Sequence, residues 1–163
     1  MEQNTGRNRK YTALFITAFA SFITPFLGSS INVALPQIGG HFQMDAVTLS
    51  WVTTVYLLAS AVFLVPFGKI ADLYGRKKVF TIGVSIVSIS SLLAAFAPST
   101  GVFILLRILQ GVGSAMIFGT GIAIITSVFP KEERGKAMGI NVAAVYVGLT
   151  MGPFAGGVLT SNL

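Results

Sequence analysis

Five stretches of the chain are long, apolar and almost free of charge, and the charged residues crowd between them. A helix needs about 20 mainly apolar residues to cross the hydrocarbon of a bilayer. The first stretch, at about 11–35, carries Phe15, Ile16, Phe19, Phe22, Ile23, Phe26 and Leu27, and a second covers about 48–67. The third uncharged stretch, 79–106, is too long for one span and breaks at Ala97-Pro98-Ser99-Thr100-Gly101, a turn-forming cluster. It divides into helices at about 79–97 and 101–129, the second holding a single charge, Arg107. A fifth helix covers about 137–159. The pattern predicts an all-α membrane protein: a tail over 1–10, then a partial bundle of five spans over 11–163. The basic start and the Ala18-Phe19-Ala20 triplet have the look of a cleaved secretory signal, but the apolar run continues past them without a polar break, so the helix reads as retained. An odd number of spans with no closing element reads as an unfinished bundle.

Composition sharpens this. Hydrophobic residues make up 53% of the 163, charged residues only 10%, and the mean hydropathy is +0.81. A soluble domain is about a quarter charged, so a water-soluble enzyme is excluded. There is no cysteine, which removes disulfides, thiolate metal sites and cysteine nucleophiles. Ten of the eleven basic residues fall before helix one or in the loops after helices two and four, and the stretches 36–47 and 98–100 contain none. The positive-inside rule then puts the N-terminus in the cytoplasm of a multi-pass cell-membrane protein. The same placement accounts for the net charge of +6, which faces the cytoplasm and anionic lipid headgroups, and no nucleic-acid partner is expected.

Three motifs carry chemistry. Gly68-Lys69-Ile70-Ala71-Asp72-Leu73-Tyr74-Gly75-Arg76-Lys77-Lys78 falls between helices two and three. Its glycines suit turns where one helix ends and the next begins, and Asp72 can pair with the basic cluster. Arg107-Ile108-Leu109-Gln110-Gly111-Val112-Gly113-Ser114-Ala115 lies within helix four. An arginine inside a span is costly unless it has a partner or a wet cavity; the alternative is that it snorkels to the outer surface. At about 1.5 Å per residue it sits roughly 9 Å from the helix start, in the outer half of the membrane. Gly111, Ala115, Gly119, Ala123 and Ser127 recur at intervals of four, a face another helix can approach closely. In helix five, Gly148-Leu149-Thr150-Met151-Gly152-Pro153-Phe154-Ala155-Gly156-Gly157 makes a similar groove with a proline bend.

Taken together these segments resemble motifs A, B and C of the major facilitator superfamily of secondary transporters. Motif A reads G-x-L-A-D-x-x-G-R-K, with Ile70 in place of Leu; motif B reads R-x-x-Q-G-x-G-x-A; motif C, G-x-x-x-G-P-x-x-G-G, marks antiporters. Leu27-Gly28-Ser29-Ser30-Ile31-Asn32-Val33-Ala34-Leu35-Pro36 and Ser50-Trp51-Val52-Thr53-Thr54-Val55-Tyr56-Leu57-Leu58-Ala59 look most like the 14-helix drug:proton antiporter branch. The resemblance covers roughly 11–160 and implies the N-terminal part of a two-half transporter fold built from three-helix inverted repeats. It implies export of amphipathic, often cationic small molecules in exchange for protons, with a proton gradient as the energy source and no cofactor, metal or enzymatic step. The partners implied are the substrate, the lipid membrane, and the remaining helices of the transporter or another chain. Arg107, Gln110 and Asn32 are the expected charge network. Gly68, Asp72, Gly75, Arg76 and Lys77 form the expected cytoplasmic gate, and Gly148, Gly152, Pro153, Gly156 and Gly157 shape the antiporter helix. Tyr56, Ser114, Asn141 and Tyr146 are the expected cavity lining. Two other readings stay open: a truncated, non-transporting membrane protein or assembly partner, and a metabolite uptake transporter.

One departure bears on mechanism. The family's acidic residue near the end of helix one falls on Gly28. The acidic residues are Glu2, Asp45, Asp72, Glu132 and Glu133, all outside the expected spans. His41 sits in a loop. A proton-carrying carboxylate must therefore come from elsewhere, or coupling is different.

Overall fold

The computed structural model describes the backbone of residues 2–161 and the side chains of residues 8–160. Five helices account for nearly all of it: α1 (Glu2–Phe42), α2 (Ala46–Tyr74), α3 (Arg76–Ala94), α4 (Thr100–Val128) and α5 (Lys131–Ser161). All five are long and apolar enough to span a bilayer. Several run further than hydropathy suggests. The expected tail 1–10 is helical from Glu2, and the expected span 48–67 continues to Tyr74. Charged residues end an apolar window, but they do not end a helix whose backbone bonds remain satisfied. The segment 68–78 is accordingly no loop. Gly75 alone separates α2 from α3, at φ +103, a left-handed value that glycine adopts without a Cβ penalty. Gly68 lies inside α2 and makes no turn. His41, expected in a loop, falls in the last turn of α1.

The remaining ends follow capping chemistry. Asp45 accepts from the Thr48 backbone N–H at 2.9 Å at the start of α2. Hydrogen bonds from Thr48, side chain first and backbone second, hold its carboxyl below the usual range. Ser99 caps α4 in the same way, through the Val102 N–H. The break at 97–101 thus opens α4 at Thr100, while α3 stops at Ala94.

Helix α4 is the axis of the bundle. In its most apolar window 56% of residues are buried, against 11% in α2. The three buried apolar clusters all draw on it: Leu14, Ile125, Phe129 and Ala137; Ala20, Phe80, Val87 and Ile117; Ala71, Val79 and Met116. Phe15, Phe19, Leu57, Leu58, Ile89, Leu92 and Phe154 point outward, an apolar exterior suited to lipid. In α3 the polar residues Thr81, Ser85 and Ser88 do not form the packing face; Gly83, Val87 and Ser90 make the buried one. The hydroxyls of Thr81 and Ser85 bond their own helix, which frees them from needing a partner.

Two helix pairs run parallel in fixed register. On α1 and α5, Lys10 meets Glu133, Ser30 meets Gly152 and Gln37 meets Thr160. On α2 and α4, Val52 meets Arg107 and Tyr56 meets Ser114. The ends where α1, α3 and α5 begin and α2 and α4 finish carry Arg9, Lys10, Lys69, Arg76, Lys77, Lys78, Lys131, Arg134 and Lys136. One end of the bundle is therefore basic.

Candidate functional site

Arg107 is the largest of the fully buried side chains, at 1% exposure, and it does not snorkel. Its guanidinium is fixed from several sides. Nε donates to the Val52 carbonyl oxygen of α2 at 3.1 Å. Nη1 donates to Gln110 Oε1 at 2.7 Å. The Tyr56 ring lies 4.4 Å from the guanidinium carbon, a cation–π contact inside an apolar surround. Gln110 and Arg107 are three residues apart on α4, so they share a helix face. Gln110 passes the contact on to α3, donating from Nε2 to Ser91 Oγ at 3.1 Å. Tyr56 in turn shares a 3.0 Å hydrogen bond with Ser114, which donates to the Gln110 carbonyl oxygen at 2.8 Å. Five side chains from three helices thus form one connected polar group, centred on a cation.

The two glycines after Gln110 explain how α2 and α3 come so close. A Cβ on Gly111 would press on the Tyr56 carbonyl oxygen and lie 2.8 Å from the Ala59 Cβ. A Cβ on Gly113 would lie 2.8 Å from Val87 Cγ2 and 2.9 Å from the Gly83 carbonyl oxygen. Gly111 therefore serves the α2 contact and Gly113 the α3 contact. Gly119 continues the α2 face, against Leu64 and Gly68.

The α1–α5 seam uses three glycines of α5. A Cβ on Gly148 would strike the Phe22 carbonyl, one on Gly152 would strike Ser29, and one on Gly156 would lie 2.8 Å from the Ser30 carbonyl oxygen. Ser30 Oγ donates to the Gly152 carbonyl oxygen at 2.9 Å, and Gln37 Nε2 to that of Thr160 at 2.7 Å. A Cβ on Gly157 would meet nothing within 4 Å among the described residues, so this glycine takes no part in the groove. Pro153 lies within α5 on an exposed face.

At the basic end, Asp72 and Arg76 form an ion pair across the Gly75 joint, with Nη2 at 2.9 Å and Nε at 3.0 Å from Oδ1. Arg76 Nη1 also donates to the Ala123 carbonyl oxygen of α4 at 2.9 Å, tying the joint to the axis. Lys77 stands on the rim of a cavity of about 950 Å³ between α1, α3 and α4, with Arg9 and Arg76. A second ion pair, Lys10–Glu133 at 2.6 Å, closes the α1–α5 seam at the same end.

Three expected members stand apart from the Arg107 group. Asn32 accepts from Thr53 Oγ1 at 2.9 Å; α1 brings Thr24 and Gly28, not Asn32, to the arginine. Tyr146 is 64% exposed on the outside of the five-helix body. Asn141 is buried, but the α1–α5 register, an offset of 119 to 123 residues, sets it level with residues 18–22, well short of Arg107. Its Oδ1 has no hydrogen-bond partner among the described residues. Tyr56 and Ser114 do belong to the Arg107 group. Ser91 lies outside motifs A, B and C, as do the Val52 and Ala123 carbonyls. A serine at the α3 end facing Gln110 was findable; backbone carbonyls are not, because every residue has one.

Residues 17–163 match the family described as Major Facilitator Superfamily. The riboflavin transporter RibZ of Clostridioides difficile (strain 630) is 34% identical over 154 residues, covering 94% of this chain and 34% of RibZ. The multidrug resistance protein Stp of Mycobacterium tuberculosis (strain CDC 1551 / Oshkosh) is 39% identical over 133 residues, covering 81% of this chain and 25% of Stp. The puromycin resistance protein pur8 of Streptomyces alboniger is 35% identical over 156 residues, covering 95% and 31% respectively. The chain spans about a quarter to a third of the length of these relatives.

Proposed function

The chain belongs to the Major Facilitator Superfamily, a family of membrane transporters and not of enzymes, and from that premise we propose that it supplies part of one half of an exporter of small amphipathic molecules. The observation that carries this reading is the buried Arg107, held by the Val52 carbonyl, Gln110 and the Tyr56 ring within an apolar helix. A cation at this depth is retained against its desolvation cost, which is the mark of a transport or coupling role. The names of Stp and pur8, which refer to drug resistance, support export. The name of RibZ supports a second reading, transport of a metabolite by the same machinery.

In this proposal the half that contains α1–α5 rocks against an opposing half. The Asp72–Arg76–Ala123 contact latches the basic end, taken as cytoplasmic, when the opposite side is open. The α1–α5 seam keeps its glycine surface while the half moves as a body. Energy comes from a proton gradient. Among the described side chains the acidic ones, Asp45, Asp72, Glu132 and Glu133, all sit at or near helix ends, so on this reading the proton-carrying carboxylate lies elsewhere in the complete transporter. The test is dye efflux from proteoliposomes that hold the complete transporter, with and without a proton gradient. Arg107→Ala should abolish efflux while membrane insertion persists. Wild-type efflux by that variant would sink the assignment. Gradient-independent uptake of a flavin, with no dye efflux, would favour the metabolite reading.

A further inference from the structure

Arg107 has three N–H groups beyond those bound to Val52 and Gln110, and its Nη2 is buried with no hydrogen-bond partner among the described residues. The side chain is 1% exposed, so bulk water does not satisfy it. Beside it lies a space of about 10 Å³, lined on α1 by Thr24 and Gly28, on α3 by Ser91, and on α4 by Gln110 and Ser114. That volume matches about one water, which needs roughly 10–15 Å³ and two to four polar partners. Leu27 and Val87 line it as well, so the wall is largely apolar, and its polar groups belong to Thr24, Tyr56, Ser91, Arg107, Gln110 and Ser114.

The hydrogen-bond pattern around the space has a gap with a direction. Arg107 reaches α2 directly, through Val52, and α3 through Gln110 and Ser91. Among the described residues no side-chain hydrogen bond joins α4 to α1, although the two helices pack along their apolar faces. Thr24 is 3% exposed and donates its hydroxyl hydrogen to the Ala20 carbonyl oxygen at 2.8 Å. Its oxygen can therefore only accept from anything in the space. Arg107 Nη2 can only donate. Arg107 and Thr24 both line the space and no hydrogen bond joins their side chains, so the unpaired donor and the acceptor call for a group between them that both accepts and donates.

We propose that a single water molecule occupies this space, accepting from Arg107 Nη2 and donating to Thr24 Oγ1. The site makes Arg107 the point at which all of α1, α2, α3 and α4 meet through polar contacts. Neither the transported molecule nor the direction of transport enters into it. What carries it is a buried donor, a space of matching size and an acceptor across that space.

The test uses the complete transporter in lipid nanodiscs. A structure resolved well enough to show ordered water should place one density peak within hydrogen-bond distance of both Nη2 and Thr24 Oγ1. In a thermal-melting series, Thr24→Val should melt lower than Thr120→Val. Thr120 is an equally buried threonine that bonds its own helix, at the Met116 carbonyl, and lies off the space. Three results would overturn the proposal: a clear map with the space empty; Nη2 bonded directly to a protein group, or to a halide that gives an anomalous signal after bromide exchange; and equal melting of the two valine variants. If Thr24→Val fails to fold, the wild-type map decides alone.

Discussion

The two parallel seams, α2 against α4 and α1 against α5, share a geometry and differ in chemistry. Both run side by side in fixed register, and both depend on glycines that let backbones touch. The α2–α4 seam is pinned near the end opposite the basic one by a buried cation on a carbonyl and a ring. The α1–α5 seam has no buried charge along its described length; serine hydroxyls and Gln37 bond backbone carbonyls, and its ion pair sits at the end. Shape and hydrogen bonds to carbonyls therefore close one seam along its length, while the other is closed by shape and a buried charge. A carbonyl contact can be remade one residue along, but a guanidinium held by three different groups has one place to be.

Substitutions test this contrast, and the largest effect belongs to Arg107. Arg107→Lys keeps the charge but loses the planar fork. It should abolish efflux by the complete transporter almost as fully as Arg107→Ala; efflux near wild type would show that charge alone suffices and would dissolve the distinction between the seams. Next come the glycines. Gly111→Ala and Gly148→Ala each force a Cβ onto a backbone carbonyl, and overpacking of this kind costs about 1–3 kcal/mol. Both should lower the melting temperature, and only Gly111→Ala should also lower efflux, because it displaces Tyr56. Equal loss of efflux in both would argue that the seams do one job.

Smaller effects lie at the basic end. Asp72→Asn removes an exposed ion pair, a kind of contact worth about 0–1 kcal/mol. Melting should barely change, while labelling of a single cysteine introduced in the opposite-end turn at Met44 should shift as the latch weakens. Unchanged labelling would count against a latch. Smallest of all is Gly157→Ala, where a Cβ meets nothing within 4 Å. Stability should stay level or rise by up to about 1 kcal/mol from helix propensity, and a marked loss would mean that other helices pack there.

Much of this was legible in the sequence. The five spans follow from hydropathy, the Arg107–Gln110 pair from the resemblance to motif B, and the α5 groove from glycines at intervals of four. What could not be read was which neighbour each face meets. Gly111 and Gly113 sit two residues apart in one motif, yet serve different helices. Asn32 shares the spacing of Thr24 and Gly28 at intervals of four, but it lies further along α1 and pairs with Thr53 of α2 instead of reaching Arg107. The extent of α2 was hidden for a different reason. Lys69 and Asp72 read as loop residues because hydropathy scores the side chain, whereas the backbone there is helical.

The single residue between α2 and α3 has a consequence for how the protein is made. With only Gly75 to separate them, the end of α2 and the start of α3 are held at the same level of the bundle. On the reading that the basic end is cytoplasmic, the pair enters as a hairpin, with Lys69, Arg76, Lys77 and Lys78 held back together on the side of synthesis. A side chain at Gly75, strained at φ +103, would then act first during biogenesis, as a failed insertion, before any finished transporter existed to be slow.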